Sequence, residues 1–462
     1  MTIRVANGAG FLGDDLDAPR RLVAGGEVDY LTIEHLAELT LSILAYQRGK
    51  HPDRGYARDF LAILESLIPH CQDQPELRIL TNSGGVNPLA CARQAATLFC
   101  AAGLGDLRIG VVTGDDLLDR IAELQAGGID LANMDTGEPL GDRAGELVSA
   151  NVYLGAAPLV EALAADAQCV ITGRIADASL TVAPAVHEFD WEWSDLDRLA
   201  GATVAGHLIE CGAQVTGGFS SLPTEDLADV GYPIAELDPS GDCVITKPAE
   251  TGGRVDRRSV AEQLIYEIGD PRCYPTPDVS VDFTSVQLAA VGENRVQVAG
   301  AKGNPRPAQY KASLAYRDGF AAVGQLLVFG DDCRERATAV VEIIERRLLR
   351  AGCPLDRLSW ELLGAGQAAG TSSTRTVAPT EGVLRIHARA QQRQPVERFV
   401  KEIAPLITSG PAGLAGYAAA RSPVRPVFAY WPTLIPRDAV EPRARIETAL
   451  AWRDRPANGD NP

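Results

Sequence analysis

The chain predicts an α/β fold: a largely parallel sheet with helices on both faces, followed by an α+β domain with a mainly antiparallel sheet. Two observations lead there. Four short apolar runs, Ile3 to Ala6, Leu77 to Leu80, Leu107 to Val112 and Cys169 to Ile171, each end in a glycine-containing polar loop. Helical periodicity separates most of them. After Val281 the pattern changes to closely spaced strands around one long helix. The expected division is therefore 1–280 for the α/β domain, 281–452 for the α+β domain, and a polar, disordered tail over 453–462.

Ile3 to Ala6 runs into Asn7-Gly8-Ala9-Gly10-Phe11-Leu12-Gly13, a literal G-x-G-x-x-G. A dinucleotide loop opens directly into an apolar helix whose amino end faces pyrophosphate. Here Asp14, Asp15 and Asp17 follow and repel phosphate, and Pro19 interrupts any helix begun at the glycines. A tight turn at a strand end is the preferred reading. Ile33 to Arg48 and Tyr56 to Ile68 have the spacing of amphipathic helices. Leu77 to Leu80 opens into the Thr81 to Pro88 loop and a helix from Leu89 to Ala102. Leu107 to Val112 with Thr113-Gly114-Asp115-Asp116 repeats the arrangement, as does Cys169 to Ile171 after the helix Ala156 to Ala165. Ligands in such sheets sit beyond the carboxyl ends of the strands. The loop residues Asn7, Asn82, Asn87, Thr172, Arg174 and Asp177 thus form one candidate cleft.

Residues 219–280 are rich in Pro, Gly and Asp, with helical spacing only at Val260 to Ile268, and read as functional loops beside a core. Expected strands follow at Val286 to Val291, Arg295 to Gly300, Gln309 to Tyr316 and Gly319 to Val328. A helix from Cys333 to Ala351, a strand from Leu358 to Leu363, a helix near Pro395 to Thr408 and a strand from Val427 to Trp431 complete the second domain.

With 462 residues, 46% hydrophobic content and 23% charged residues, the composition is that of a soluble globular protein of two or three domains. A formal charge of -18 argues against nucleic acid and anionic membranes as partners. The nine cysteines contain no Cys-x-x-Cys pair and the six histidines are dispersed, so no zinc spacing arises. Without a signal peptide or long apolar run, the expectation is a cytoplasmic protein with reduced thiols. No P-loop, metal-helix motif or Gly-x-Ser-x-Gly elbow occurs.

Reactive side chains concentrate between Cys169 and Gly218. Glu210 and Cys211 follow His207 by three and four residues, a spacing that puts all three on one face of a helix. Cys211 is a candidate thiolate nucleophile or thiol acid, against the alternative of a buried structural cysteine. His207 is a candidate general base, against a core histidine bonded to a carbonyl. Arg174, after Gly173 at a strand end, suits a bidentate clamp on carboxylate or phosphate, or equally a salt bridge to Asp177. Asp177 and Ser179 read as catalytic or as helix caps. Asn82 and Asn87 around Gly84-Gly85 read as ligand-holding or as turn residues. Lys247 is added to the substrate-binding set, with a solvated lysine as the alternative.

At these residues the sequence resembles the acyclic terpene utilisation AtuA family. The runs that carry the resemblance are Asn7 to Phe11, Asp29 to Leu31, Asn82 to Pro88, Tyr153 to Ala156, Thr172-Gly173-Arg174, Asp177 to Leu180, Gly206-His207 with Glu210-Cys211-Gly212, and Thr216 to Gly218. Glu262 to Leu264, Tyr266-Glu267 and Tyr274 to Val279 extend it towards residue 430. Ser83 stands where alanine is expected and Leu12 where tryptophan is more usual; neither removes a reactive group. The small ferredoxin-like domain sometimes fused to family members or encoded beside them is not evident after residue 440; if activity needs it, a separate partner chain is expected to supply it.

The resemblance implies catabolism of branched acyclic terpenoids such as citronellol and geraniol, or related branched acyl-CoA chemistry. The resulting expectation is an enzyme acting on a branched-chain carboxylate or its CoA thioester by lyase or hydratase chemistry. His207, Glu210, Cys211 and Asp177 would be catalytic, and Asn82, Asn87, Thr172, Arg174 and Lys247 would bind substrate. No metal and no cofactor beyond a CoA moiety on the substrate are expected, and a homo-oligomer is. The alternatives are a Cys211-dependent acyl transferase or thioester hydrolase, and a non-catalytic subunit partnering an acyl-CoA enzyme.

Overall fold

The structure, a computed structural model, describes residues 2–25, 27–364, 380–417 and 421–456. The chain divides into two compact units, Met1–Ala315 with Tyr430–Pro462, and Tyr316–Ala429.

In the first unit β1 (Ile3–Asn7) leads through α1 (Ala18–Gly25) to β2 (Tyr30–Ile33). Two helices, α2 (Glu38–Lys50) and α3 (Asp59–Asp73), precede β3 (Arg78–Thr81), and α4 (Pro88–Ala101) connects it to β4 (Arg108–Thr113). After α5 (Ile121–Ala126) and β5 (Leu147–Val152), α6 (Ala157–Ala164) leads to β6 (Cys169–Thr172), α7 (Ser179–Phe189) and α8 (Leu196–Ile209). The hairpin β7 (Ile234–Leu237) and β8 (Cys243–Thr246) comes next, then α9 (Arg257–Leu264), β9 (Tyr274–Pro275), β10 (Ser280–Asp282), β11 (Gln287–Gly292), β12 (Arg295–Ala299) and β13 (Lys302–Asn304).

A ten-stranded sheet organises this unit. Its centre, in the order β1-β2-β3-β6-β4, is parallel throughout. Strands β2 and β6 are buried at all four positions, so both faces are covered and the usual alternation disappears. On one face Leu22, Phe60 and Phe99 join Ile33, Ile79 and Ile171 in a common core. On the other, Gly110 faces α6, and a Cβ there would stand 3.0 Å from Ala162. The mixed α/β expectation holds for this centre. The flanks are antiparallel: β7 pairs with β1, β8 with β7, β12 with β8 and β11 with β12.

Several elements differ from the sequence reading. Val286 to Val291 and Arg295 to Gly300, expected in a second sheet, extend the first one through β8. Residues 219–280, read as loops, contain the β7–β8 hairpin, whose Gly241 takes φ +92°. Ile33 ends a strand, and the helix expected to start there begins at Glu38. Gln309 to Tyr316 and Gly319 to Val328 are one strand, β14 (Gln309–Phe329). Gly319, with φ +79°, carries it past Ala390, whose carbonyl oxygen lies 2.5 Å from where a Cβ would be; a left-handed residue without a side chain bends a strand there instead of ending it.

The second unit packs α10 (Cys333–Arg350) and α11 (Arg393–Ile403) on an antiparallel sheet of β15 (Arg357–Leu363), β16 (Glu381–Ala390), β14 and, after α12 (Leu406–Ser409), β17 (Leu414–Gly416). Val340, Ile344 and Leu348 of α10 meet Leu384 and Ile386 of β16 and Phe399 of α11. The chain returns through β18 (Arg425–Pro436) to β19 (Arg443–Thr448), which pairs antiparallel with β4, and α13 (Ala449–Asp454). Arg453 and Asp454 thus close a helix, while residues 457–462 of the expected tail lie outside the described residues. Among the described residues no helix is long and apolar enough to cross a membrane.

Candidate active site

The carboxyl ends of the five parallel strands deliver Asn7, Glu34, Asn82, Asp115 and Arg174 to one edge of the sheet, where such sheets bind ligands. Arg174 is the hub. Its side chain is 3% exposed, so each of its donors matters. Nη1 donates to the Leu36 carbonyl at 2.8 Å and to Asp177 Oδ1 at 2.7 Å, and lies 3.8 Å from Glu34 Oε1. The guanidinium stacks over the Tyr153 ring at 4.2 Å. Nε is buried without a hydrogen-bond partner among the described residues. Behind it, Asp115 Oδ2 accepts from the Arg174 amide at 2.7 Å and from Asn151 Nδ2 at 2.8 Å. Burial pushes the Asp115 carboxyl up to about 7.

The second half of the site stands at the end of α8. Asn7 Nδ2 donates to the Ile209 and Glu210 carbonyls, both at 2.8 Å, which satisfies acceptors left open where the helix stops. His207 Nε2 lies 3.0 Å from the Gln263 carbonyl and Nδ1 lies 3.2 Å from Glu210 Oε1. A carbonyl only accepts, so Nε2 carries a hydrogen and Nδ1 is the nitrogen that titrates against Glu210. Burial opposes charge on His207, but Glu210 and the Gln263 carbonyl outweigh it and raise its pKa. Burial raises Glu210 as well, with Asp177 and Glu267 adding to the effect. Both groups thus have raised proton affinity and face each other across the 3.2 Å Nδ1–Oε1 contact. Phe283 meets the His207 ring edge-on at 5.6 Å, and the Tyr274 ring lies 6.4 Å away.

Cys211 falls just beyond the helix, not on the shared helical face that the spacing suggested. Burial pushes its thiol up to about 12, with Glu210, Glu267 and Asp177 contributing. At neutral pH it is a protonated thiol beside the His207–Glu210 pair. The glycine loop after β1 packs onto this segment: a Cβ at Gly10 would lie 2.6 Å from the Cys211 carbonyl carbon. The Gly10 amide, which would face phosphate in a dinucleotide loop, donates to Asp14 Oδ2 at 2.8 Å.

Arg174, Asp177, His207, Glu210 and Cys211 are thus brought together. Other expected site residues are engaged in holding the fold. Asn82 accepts from the His35 amide at 2.8 Å and donates to Glu34 Oε1. Asn87 caps α4 through the Ala90 amide and donates to the Pro52 and Arg54 carbonyls. Thr172 Oγ1 donates to the Gly173 carbonyl. Lys247, beyond β8, gives its ammonium to the Thr251 carbonyl at 2.6 Å. Ser179 donates to the buried Asp278, which also accepts from the Ala156 amide.

Glu34, His35, Asp115, Tyr153 and Gln263 were not anticipated. Glu34-His35 follows the quartet Tyr30-Leu31-Thr32-Ile33, and reading that quartet as a strand would have exposed a fifth polar loop. His35 sits 2.8 Å from Ser83 Oγ, and burial lowers its pKa to about 4. A cleft of about 1080 Å³ lies beside this edge and is lined by Arg48, Arg93, Asn87 and Asp116 among others. Arg174 and His207 are not among its lining residues. Among the described residues no group of three His, Cys, Asp or Glu side chains is placed to share a metal ion.

Comparison of the chain with curated proteins and with solved structures found no match in either set. The family model described as acyclic terpene utilisation family protein AtuA matches residues 3–446, which include every strand end that builds the site. The chain therefore belongs to the acyclic terpene utilisation AtuA family.

Proposed function

We propose that the chain is an enzyme of acyclic terpene utilisation that acts on a branched-chain carboxylate or its CoA thioester by lyase or hydratase chemistry. Membership of the family supports the coarse role. The observation that carries the finer one is the buried His207–Glu210 pair, with a single titrating nitrogen facing a carboxyl, at the same sheet edge as the buried Arg174. Lyase and hydratase reactions of acyl compounds move a proton at carbon while charge builds on the acyl oxygen. The pair supplies an acceptor and donor of that proton, because the ring nitrogen not bonded to the Gln263 carbonyl faces the Glu210 carboxyl. Positioned acid–base groups of this kind contribute about a hundredfold to ten-thousandfold in rate. Arg174 supplies fixed positive charge for the oxygen in a site of low dielectric.

Cys211 enters this reading as a proton donor. Its raised thiol pKa weighs against acyl transfer through a Cys211 thioester, because the thiolate is the nucleophile. The test is a thermal-shift screen of the purified chain against branched acids, free and CoA-linked, with nucleotides alone as controls. A ligand at about a hundred times its Kd adds about 3 kcal/mol of stability. A shift with a branched acyl compound and none with nucleotides is expected. Silence with every branched acyl compound would overturn the reading in favour of a non-catalytic subunit.

A further inference from the structure

Two buried polar atoms at the hub have no hydrogen-bond partner among the described residues: Arg174 Nε and Glu34 Oε2. They belong to neighbouring groups, since Glu34 Oε1 stands 3.8 Å from Arg174 Nη1. Glu34 Oε1 is already occupied. It accepts from the Leu36 amide at 3.0 Å and from Asn82 Nδ2. Both are N–H donors, so a proton on this carboxyl has its place on Oε2. Several features keep that proton there. The carboxyl is buried, and burial, reinforced by the charge of Asp177, raises its proton affinity in spite of Arg174. An ionised Oε2 would be a buried anionic oxygen with no donor, the costliest state for a carboxylate.

Building on the reading above, we infer that Glu34 is a carboxylic-acid donor that joins Arg174 Nε–H in a binding site for an uncharged carbonyl oxygen. The charge of the ligand follows from the surroundings. Asp177 already balances the guanidinium at 2.7 Å, and Glu38, which also acts on it, is matched by Lys311 Nζ at 3.6 Å. A substrate carboxylate would add an unmatched buried negative charge. A thioester carbonyl adds none in the ground state, and it draws on both donors as charge develops on its oxygen. The site thus selects the thioester over the free acid, and Glu34 becomes part of the binding machinery. The arrangement resembles an oxyanion hole in which one donor is a neutral acid.

Infrared difference spectroscopy tests the protonation directly. At neutral pH the wild type minus Glu34→Gln spectrum should contain the C=O stretch of a protonated carboxylic acid. A carboxylate band in its place overturns the inference. Calorimetry with 3-methylcrotonyl-CoA and with free 3-methylcrotonate tests the ligand. The thioester should bind and the free acid should bind at least about tenfold more weakly; the reverse order overturns the inference. Glu34→Gln keeps a donor at the critical atom and should weaken thioester binding about tenfold less than Glu34→Ala does; equal losses would contradict a donor role. If neither probe binds, the branched-acyl reading fails, and the infrared band still decides whether Glu34 is a donor.

Discussion

Gly173 offers a sharp perturbation of the site, because its cost can be worked from geometry. It lies between β6 and Arg174, and a Cβ there would stand 2.3 Å from Asp115 Oδ1 and 2.5 Å from Oδ2. Gly173 does not occupy the left-handed region, so Gly173→Ala brings no backbone strain and the whole effect is collision with a buried carboxylate. Asp115 is 2% exposed and cannot retreat to water. Moving it stretches both hydrogen bonds on Oδ2, to the Arg174 amide and to Asn151. Overpacking alone costs about 1–3 kcal/mol, and weakened bonds to a charged group add about 1.5–3 kcal/mol. The expected loss is about 3–6 kcal/mol, a large part of a typical domain's stability. Urea unfolding followed by tryptophan fluorescence reads it, since Trp191, Trp193, Trp431 and Trp452 lie in the first unit. Gly145→Ala, with open space around its Cβ, is the control and should stay within about 0.5 kcal/mol of wild type. A Gly173→Ala protein as stable as that control would refute the packing described around Arg174.

Three further outcomes follow from the same structure. Burial raises the Asp115 carboxyl from 3.8 to about 7, so between those values the folded chain binds a proton that the unfolded chain releases. The contribution of this group to stability is therefore present below about pH 4 and falls as pH rises to about 7, by up to about 4 kcal/mol. Asp115→Asn should flatten that slope in urea midpoints measured against pH, and an unchanged slope would remove the assignment. At about pH 7.5, peptide mapping after iodoacetamide treatment should find Cys211 modified at least about tenfold more slowly than the exposed Cys273. Faster modification of Cys211 would restore the thiolate nucleophile. Gly49 sits in the last turn of α2 with no atom within 4 Å of its Cβ position, so Gly49→Ala should raise stability by about 0.5–1 kcal/mol; a loss would show that this turn is not helical.

The legible parts of the fold are those where local pattern and tertiary role agree. Strands β3, β4 and β6 announced themselves because a short apolar run, a glycine loop and a helix follow one another. The strand β2 did not. Its four residues are all buried, and a fully buried strand carries no alternation to separate it from the start of a helix. The β7–β8 hairpin was hidden because its strands are four residues each inside a segment dominated by turn formers. Gly319 reads as a stop and is a bend.

In the site, Arg174, His207, Glu210 and Cys211 were visible because they are reactive types close in sequence. Their partners were not, since Gln263 reaches His207 across 56 residues and Leu36 reaches Arg174 across 138. Asn87 and Lys247 have side chains suited to ligands, but nearby carbonyls claim their donors. Residue type alone does not record that.

The most direct test of the central claim is proton chemistry at the substrate. The purified chain would be incubated with 3-methylcrotonyl-CoA in deuterated water, and the acyl group followed by mass spectrometry for gained deuterium or added water. Wild type, His207→Gln and Arg174→Lys would be run side by side, with near-ultraviolet circular dichroism confirming that each is folded. The prediction is a mass change with wild type that slows at least about a hundredfold in both variants. Equal rates in all three proteins, or no mass change with wild type, would contradict an acid–base site built on His207, Glu210 and Arg174.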